Sequence, residues 1–83
     1  MKRRTPYRPD QGFALSRIER RRQQLGITHV ELYTVAEIPR NTYARIRKTG
    51  LAFKRHVIAL RFAIRTIEQR RRLVGKMLGV ADV

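Results

Sequence analysis

Apolar and polar positions follow a helical period over most of the chain and break at a few defined points. Between Gln11 and Gln24, Phe13 or Ala14, Ile18, Arg21 or Arg22 and Leu25 recur about one helical turn apart, with charges between them. Leu15 and Ile18, as i,i+3 neighbours, are expected to face the core. Gly26 stands where a glycine ends a helix. Thr28, followed three residues later by Glu31, has the form of a capping box. It opens a second helix, from about His29 to Ala36 (28–36 with its cap), that buries Leu32 and Ala36. Ile38-Pro39 interrupts it, because proline cannot continue a helix yet fits the first turn of the next. A third helix, about 39–48, turns Tyr43 and Ile46 inward and stops at Thr49-Gly50.

The last third reads as one long helix. Phe53, Val57, Leu60, Ile64, Ile67, Arg71, Val74 and Leu78 recur at steps of four and three, nearly a heptad seam broken by Arg71. Ile58 and Phe62 add a second stripe, and Gly75 and Gly79 are expected to fray or end the helix. Phe53, Val57 and Leu60 are expected to pack on the preceding helices. A helix advances about 1.5 Å per residue. On that count Ile64, Ile67, Val74, Met77 and Leu78 run past the body and form a homodimer interface. Residues 1–10, with Lys2, Arg3, Arg4, Tyr7 and Arg8 between Pro6 and Pro9, read as an extended or disordered basic arm. The expected organisation is an arm over 1–10, a helical body over 11–67 and a dimerising extension over 68–83, all-α with four to five helices.

Composition narrows the function. A chain of 83 residues forms a single small domain that often needs a staple. With no Cys and only His29 and His56, neither a disulfide framework nor a zinc cluster is available, which leaves dimerisation. Twenty Lys and Arg against six Asp and Glu give a net charge of +14, and such an excess implies a polyanionic partner. No apolar run approaches membrane-spanning length, and MKRRTPYRPD lacks the apolar region of a secretory signal. A cytoplasmic, nucleoid-associated protein is therefore expected. No Ser/His/Asp set, carboxylate pair or Gly-rich phosphate loop is present, so no enzyme activity, metal, cofactor or small-molecule ligand is expected.

The segment LGITHVELYTVAEIPRNTYARIRK, Leu25 to Lys48, resembles the helix-turn-helix of the Cro/cI-like (XRE) repressor family. Leu25, Gly26, Ile27, Thr28, Glu31, Leu32, Ala36, Ile38, Thr42, Tyr43, Arg45 and Ile46 match its pattern without a gap. With the flanking helices the resemblance covers roughly residues 13–67. The chain departs from the pattern at His29 (usually Gln), Tyr33 (usually small), Glu37 (usually Gly) and Pro39 (usually Ser). The resemblance implies a lambda-repressor-like domain whose third helix lies in the DNA major groove.

On that helix Arg40, Asn41, Ala44 and Arg45 face outward and are the candidates for base contacts. Arg pairs with guanine O6 and N7, Asn with adenine N6 and N7, and Ala can touch a thymine methyl. Thr28, His29, Thr42, Arg47, Lys48, Lys54 and Arg55 are candidates for phosphate contacts, with Thr49 beside them; Thr42 can also reach a base. Such contacts fix register without reading sequence. Arg20, Arg21 and Arg22 suit the negative end of the first helix whether or not DNA is bound. Lys2, Arg3, Arg4 and Arg8 of the arm can track phosphates or enter a minor groove. The expected function is a transcriptional regulator, a repressor acting as a homodimer on an inverted repeat of double-stranded DNA. Three other readings stand beside it: an antitoxin-type protein with an additional protein partner, a non-specific architectural nucleic-acid binder, and an amphipathic membrane-surface binder.

Overall fold

In the computed structural model, which describes residues 8–77, the chain forms α1 (Gly12–Leu25), α2 (His29–Val35), α3 (Arg40–Thr49) and α4 (Lys54–Met77). The protein is all-α among the described residues, with an isolated antiparallel bridge between Asp10 and Leu51.

The helix ends are set by local chemistry. At the start of α1 the Asp10 carboxylate accepts from the Gly12 N–H at 2.9 Å. At its end Gly26 takes a left-handed conformation, φ 66°, and the N–H groups of Gly26 and Ile27 close onto the carbonyls of Gln23 and Arg22. Thr28 Oγ1 accepts from the Glu31 N–H at 3.1 Å, the first half of the expected capping box. The return half is replaced: the Glu31 carboxylate accepts instead from Arg71 Nη2 at 3.2 Å. Glu37 holds a left-handed backbone, φ 58°, between α2 and α3. A side chain in that conformation costs about 1 kcal/mol, and glycine would avoid it. Pro39 then enters α3, and its carbonyl accepts from the Tyr43 N–H at 2.9 Å. α3 ends on Gly50, φ 76°, with the Thr49 hydroxyl donating to the Arg45 carbonyl at 2.9 Å.

The core joins all four helices. Ile18 of α1, Leu32 of α2, Tyr43 and Ile46 of α3, and Val57, Leu60, Ala63, Ile64 and Ile67 of α4 are buried together, with Ile27, Ile38 and Ala52 from the connections. α4 is the common floor, packed against both α1 and α2.

This packing corrects the expected dimer interface. Ile64 and Ile67 are 6% and 2% exposed within a single chain, so they are core residues and unavailable to a second one. The body reaches further along α4 than the length argument allows, because α1 lies along it and Arg71 reaches the Leu25 carbonyl and the Glu31 carboxylate. Arg71 therefore follows the buried seam as an exposed cap on the last carbonyl of α1. Gly75 lies inside α4, which runs to Met77 and neither ends nor breaks there. Val74 is exposed. The Met77 side chain and Leu78, also expected at the interface, lie outside the described residues, as does Gly79. The second stripe, Ile58 and Phe62, stays uncovered at 54% and 66% exposure, with Leu73 further along the same side.

The expected free arm is also shortened. The Gln11 N–H donates to the Gly50 carbonyl at 2.9 Å and the Ala52 N–H to the Pro9 carbonyl at 3.1 Å. These bonds tie residues 9–11 to the α3–α4 connection, and Arg8 lies over the Phe53 ring. Lys2, Arg3, Arg4 and Tyr7 lie outside the described residues.

Because Ile67 belongs to the core of one chain, Ile67→Ala is expected to destabilise folding by about 2–5 kcal/mol. Thermal or urea unfolding should show that loss undiminished by dilution, whereas an interface residue would give a concentration-dependent loss.

Candidate nucleic-acid interface

α3 is anchored by Tyr43 and Ile46, and its remaining surface follows from that anchoring. At about 100° per residue, Asn41, Ala44, Arg45 and Lys48 centre on the side opposite the two buried residues. All four are exposed. Arg40 and Arg47 project from one edge of this face and the half-buried Thr42 from the other. Lys48, expected among the phosphate contacts, thus shares the central face with Asn41, Ala44 and Arg45.

On the edge beside Arg47 lies a polar cluster that joins the first three helices. His29 Nδ1 is 2.7 Å from the buried Tyr43 hydroxyl. With the imidazole neutral, the hydroxyl donates to Nδ1 and the ring proton sits on Nε2. Burial lowers the His29 pKa from its ordinary value, and the Arg22 and Arg47 guanidiniums push the same way. Burial likewise raises the Tyr43 phenol. Arg22 is mostly buried: Nε and Nη2 donate to the two Glu19 oxygens at 3.0 and 2.6 Å, and Nη1 to the Ile27 carbonyl at 2.6 Å. The Arg22 hydrogen bond holds the Glu19 carboxyl below its usual range. Arg22 is therefore a structural clamp on the α1–α2 turn. Tyr33 packs its ring on Tyr43, centroids 5.3 Å apart, which is how the bulky residue is accommodated between α2 and α3.

A second cationic cluster surrounds Phe53 at the junction of α3 and α4. The Arg8 and Arg55 guanidiniums lie 5.3 and 4.5 Å from the Phe53 centroid, and His56 packs on the same ring. The His56 pKa is lowered by burial and by Arg55, Arg45 and Arg8, which places Arg45 of α3 in the field of this cluster. Arg8 Nε is buried without a hydrogen-bond partner among the described residues. Phe53, read from the seam as core, is a half-buried platform for cations. No spacing signal links Arg8 or His56 to Arg45, because the turn at Gly50 and the pairing of residues 9–11 bring them together.

The electrostatics of this region work against folding. α3 and α4 have no acidic residue in their first turns, and α4 opens with Lys54, Arg55 and His56 at the positive end of its dipole. The ion pairs among the described residues are Arg21–Glu68, Arg72–Glu68, Arg22–Glu19 and Arg71–Glu31. None involves Arg40, Arg45, Arg47, Lys48, Lys54 or Arg55. These cations are exposed and without an ion pair over α3 and the start of α4, an arrangement suited to a polyanion. Of the other candidates, the Thr28 oxygen already caps α2 while its hydroxyl proton remains available, and the Thr49 hydroxyl is engaged at the end of α3.

Among the described residues no helix is long and apolar enough to cross a membrane, and no cluster of three metal-ligating side chains occurs. The chain gives no significant match to any protein-family model, curated protein or solved structure.

Two measurements check this description. Because both imidazoles are held below the ordinary value, the folded state favours their neutral forms. Their contribution is complete above about pH 6.5 and is lost as the pH falls through the lowered values. Thermal unfolding should therefore occur at lower temperature at pH 5.5 than at 7.5, and His29→Gln should remove its share of the difference. Lys54→Glu should stabilise the fold by about 0.3–1 kcal/mol at low salt through the helix dipole.

Proposed function

We propose that the chain is a sequence-specific DNA-binding regulator of transcription, with α2 and α3 acting as the helix-turn-helix of a lambda-repressor-like domain. The observation that carries this reading is the outward face of α3. It presents Asn41, Ala44, Arg45 and Lys48 together, with no acidic partner on its cations, while the described ion pairs lie on α1, α2 and α4.

The proposed mechanism follows from that arrangement. α3 enters the major groove, where Arg45 takes guanine O6 and N7, Asn41 takes adenine N6 and N7, and Ala44 meets a thymine methyl. Lys48 reaches a base or a neighbouring phosphate, and Arg40 reads from the helix start. Arg47 and His29 hold the phosphates along one edge, while Arg55, Lys54 and Arg8 hold them along the other. His29 can donate its Nε2 proton because Tyr43 occupies Nδ1. The reading as a homodimer on an inverted repeat rests on the uncovered Ile58, Phe62 and Leu73. A two-fold arrangement would set the α3 helices about 34 Å apart, one turn of DNA. Repression would be steric, by occupation of promoter DNA.

The test is selection from a randomised duplex pool, followed by competition with excess random DNA. A regulator enriches a defined site and holds it against the competitor; equal affinity for all duplexes overturns the reading in favour of a non-specific binder. On the selected site, Arg45→Ala should cost about 1–3 kcal/mol and relax preference at one base position. Arg55→Ala should instead weaken all sequences alike and reduce the salt slope by about one unit.

A further inference from the structure

α1 presents two flanks to its surroundings. Leu15, Ser16 and Glu19 line a groove shared with Tyr43, Ile46 and Arg47 of α3. Arg17, Arg20, Arg21 and Gln24 line a separate groove shared with Arg61, Arg65 and Glu68 of α4, with a volume of about 590 Å³. This second groove carries five guanidiniums against one carboxylate. Glu68 is shared between Arg21, at 2.9 Å, and Arg72, at 3.2 Å. Arg17, Arg20, Arg61 and Arg65 have no acidic partner among the described residues, and Arg17 rests over the Phe13 ring. So many like charges on facing helices repel one another, and nothing in the core requires them there.

We propose that this groove is a second nucleic-acid site that grips the phosphate backbone of a DNA segment other than the one under α3. Its shape selects the ligand. The cations are spread over five residues of each helix, Arg17 to Arg21 and Arg61 to Arg65, about 6 Å along each axis, which matches about two phosphates along one strand and exceeds a single small anion. The floor, Ile18 and Ile64, is 6% exposed on each residue, so the groove itself presents mainly polar surface, which favours a phosphate backbone over insertion into a membrane. Its contacts are guanidiniums to phosphate, without a base-reading element, so it takes duplex of any sequence. Because it opens on the flank of α1 away from α3, one duplex held by α3 leaves the groove free for another. The chain thereby bridges two DNA segments, a step that rests on the reading of α3 given above, whereas the groove as a phosphate site does not.

The experiment uses the full chain on a bead-bound short duplex, followed by a labelled second duplex in solution. Three proteins are compared: the wild type, Arg61→Gln/Arg65→Gln in the groove, and Arg40→Gln/Arg45→Gln on α3. Circular dichroism monitors folding, and the groove variant should unfold at the same or a higher temperature at low salt, because repulsion is relieved. The wild type should capture the second duplex, and the groove variant should bind the first duplex yet capture about tenfold less of the second. If the α3 variant also loses capture, both sites stand. If it captures like the wild type while the groove variant does not, the groove stands and the α3 reading falls. Capture by the groove variant equal to wild type, as bridging through a protein dimer would give, overturns the groove. Failure of the wild type to capture a second duplex, when the first is held by the wild type and lost from the α3 variant, overturns it equally. Loss of binding to anionic vesicles in the groove variant, with duplex capture intact, assigns the groove to a lipid surface and also overturns the proposal.

Discussion

The burial of one face of α4 organises this protein. Val57, Leu60, Ala63, Ile64 and Ile67 supply the floor on which α1 and α2 lie, and α3 joins the same core through Tyr43 and Ile46. Fully burying an aliphatic side chain contributes about 1.5–3 kcal/mol, and this set opposes the mutual repulsion of a chain with a net charge of +14. Removing α4 from that position would leave α1 and α2 without a partner face and α3 without a fixed direction. Arg22 and Arg71 complete the arrangement from the polar side: one clamps the Ile27 carbonyl and the other caps the Leu25 carbonyl, both at the turn between α1 and α2.

Four of the acidic residues are therefore committed, while Glu37 is exposed without an ion pair among the described residues. Glu19 serves Arg22, Glu31 serves Arg71, Glu68 serves Arg21 and Arg72, and Asp10 caps the start of α1. Each assists a helix junction or end, and none neutralises α3 or the opening turn of α4. The result is a body whose anions hold it together and whose remaining cations face outward. The same partition leaves the α1–α4 groove with an excess of cations over its one carboxylate, Glu68. A fold selected for stability alone would place acids at the starts of α3 and α4, and this one places Arg40, Lys54 and Arg55 there.

Much of the architecture was legible in the sequence where the cause is local. Gly26, Thr28, Pro39 and Gly50 mark helix ends through backbone conformation and capping, which depend on a few adjacent residues. The burial of Leu32, Tyr43 and Ile46 follows from periodicity alone. What escaped depends on distant partners. The seam of α4 shows which face is buried but not how far the covering helices reach, so Ile64 and Ile67 read as free when they are buried in the core that α4 forms with α1 and α2. Glu31 has the spacing of a capping box, yet Arg71, 40 residues away, takes its carboxylate. Arg8 sits in a proline-flanked stretch that reads as an arm, yet the bonds of Gln11 and Ala52 bring it over Phe53. At the candidate interface the outward positions of α3 were readable from the anchors Tyr43 and Ile46. The hydrogen bond from the Tyr43 hydroxyl to His29 and the gathering of Arg8, Arg55 and His56 beside Arg45 were not, because both form across turns.

The central claim is that the exposed face of α3 lies against base edges in the major groove. Methylation interference at guanine N7 tests it most directly, using a duplex recovered from a randomised pool by binding to the full chain. The account predicts that N7 methylation at guanines within the recovered site blocks binding, since that atom is the one an α3 guanidinium must reach. Binding that tolerates N7 methylation throughout the site, while remaining sensitive to ethylation of the phosphates, would place the protein on the backbone alone and contradict the account.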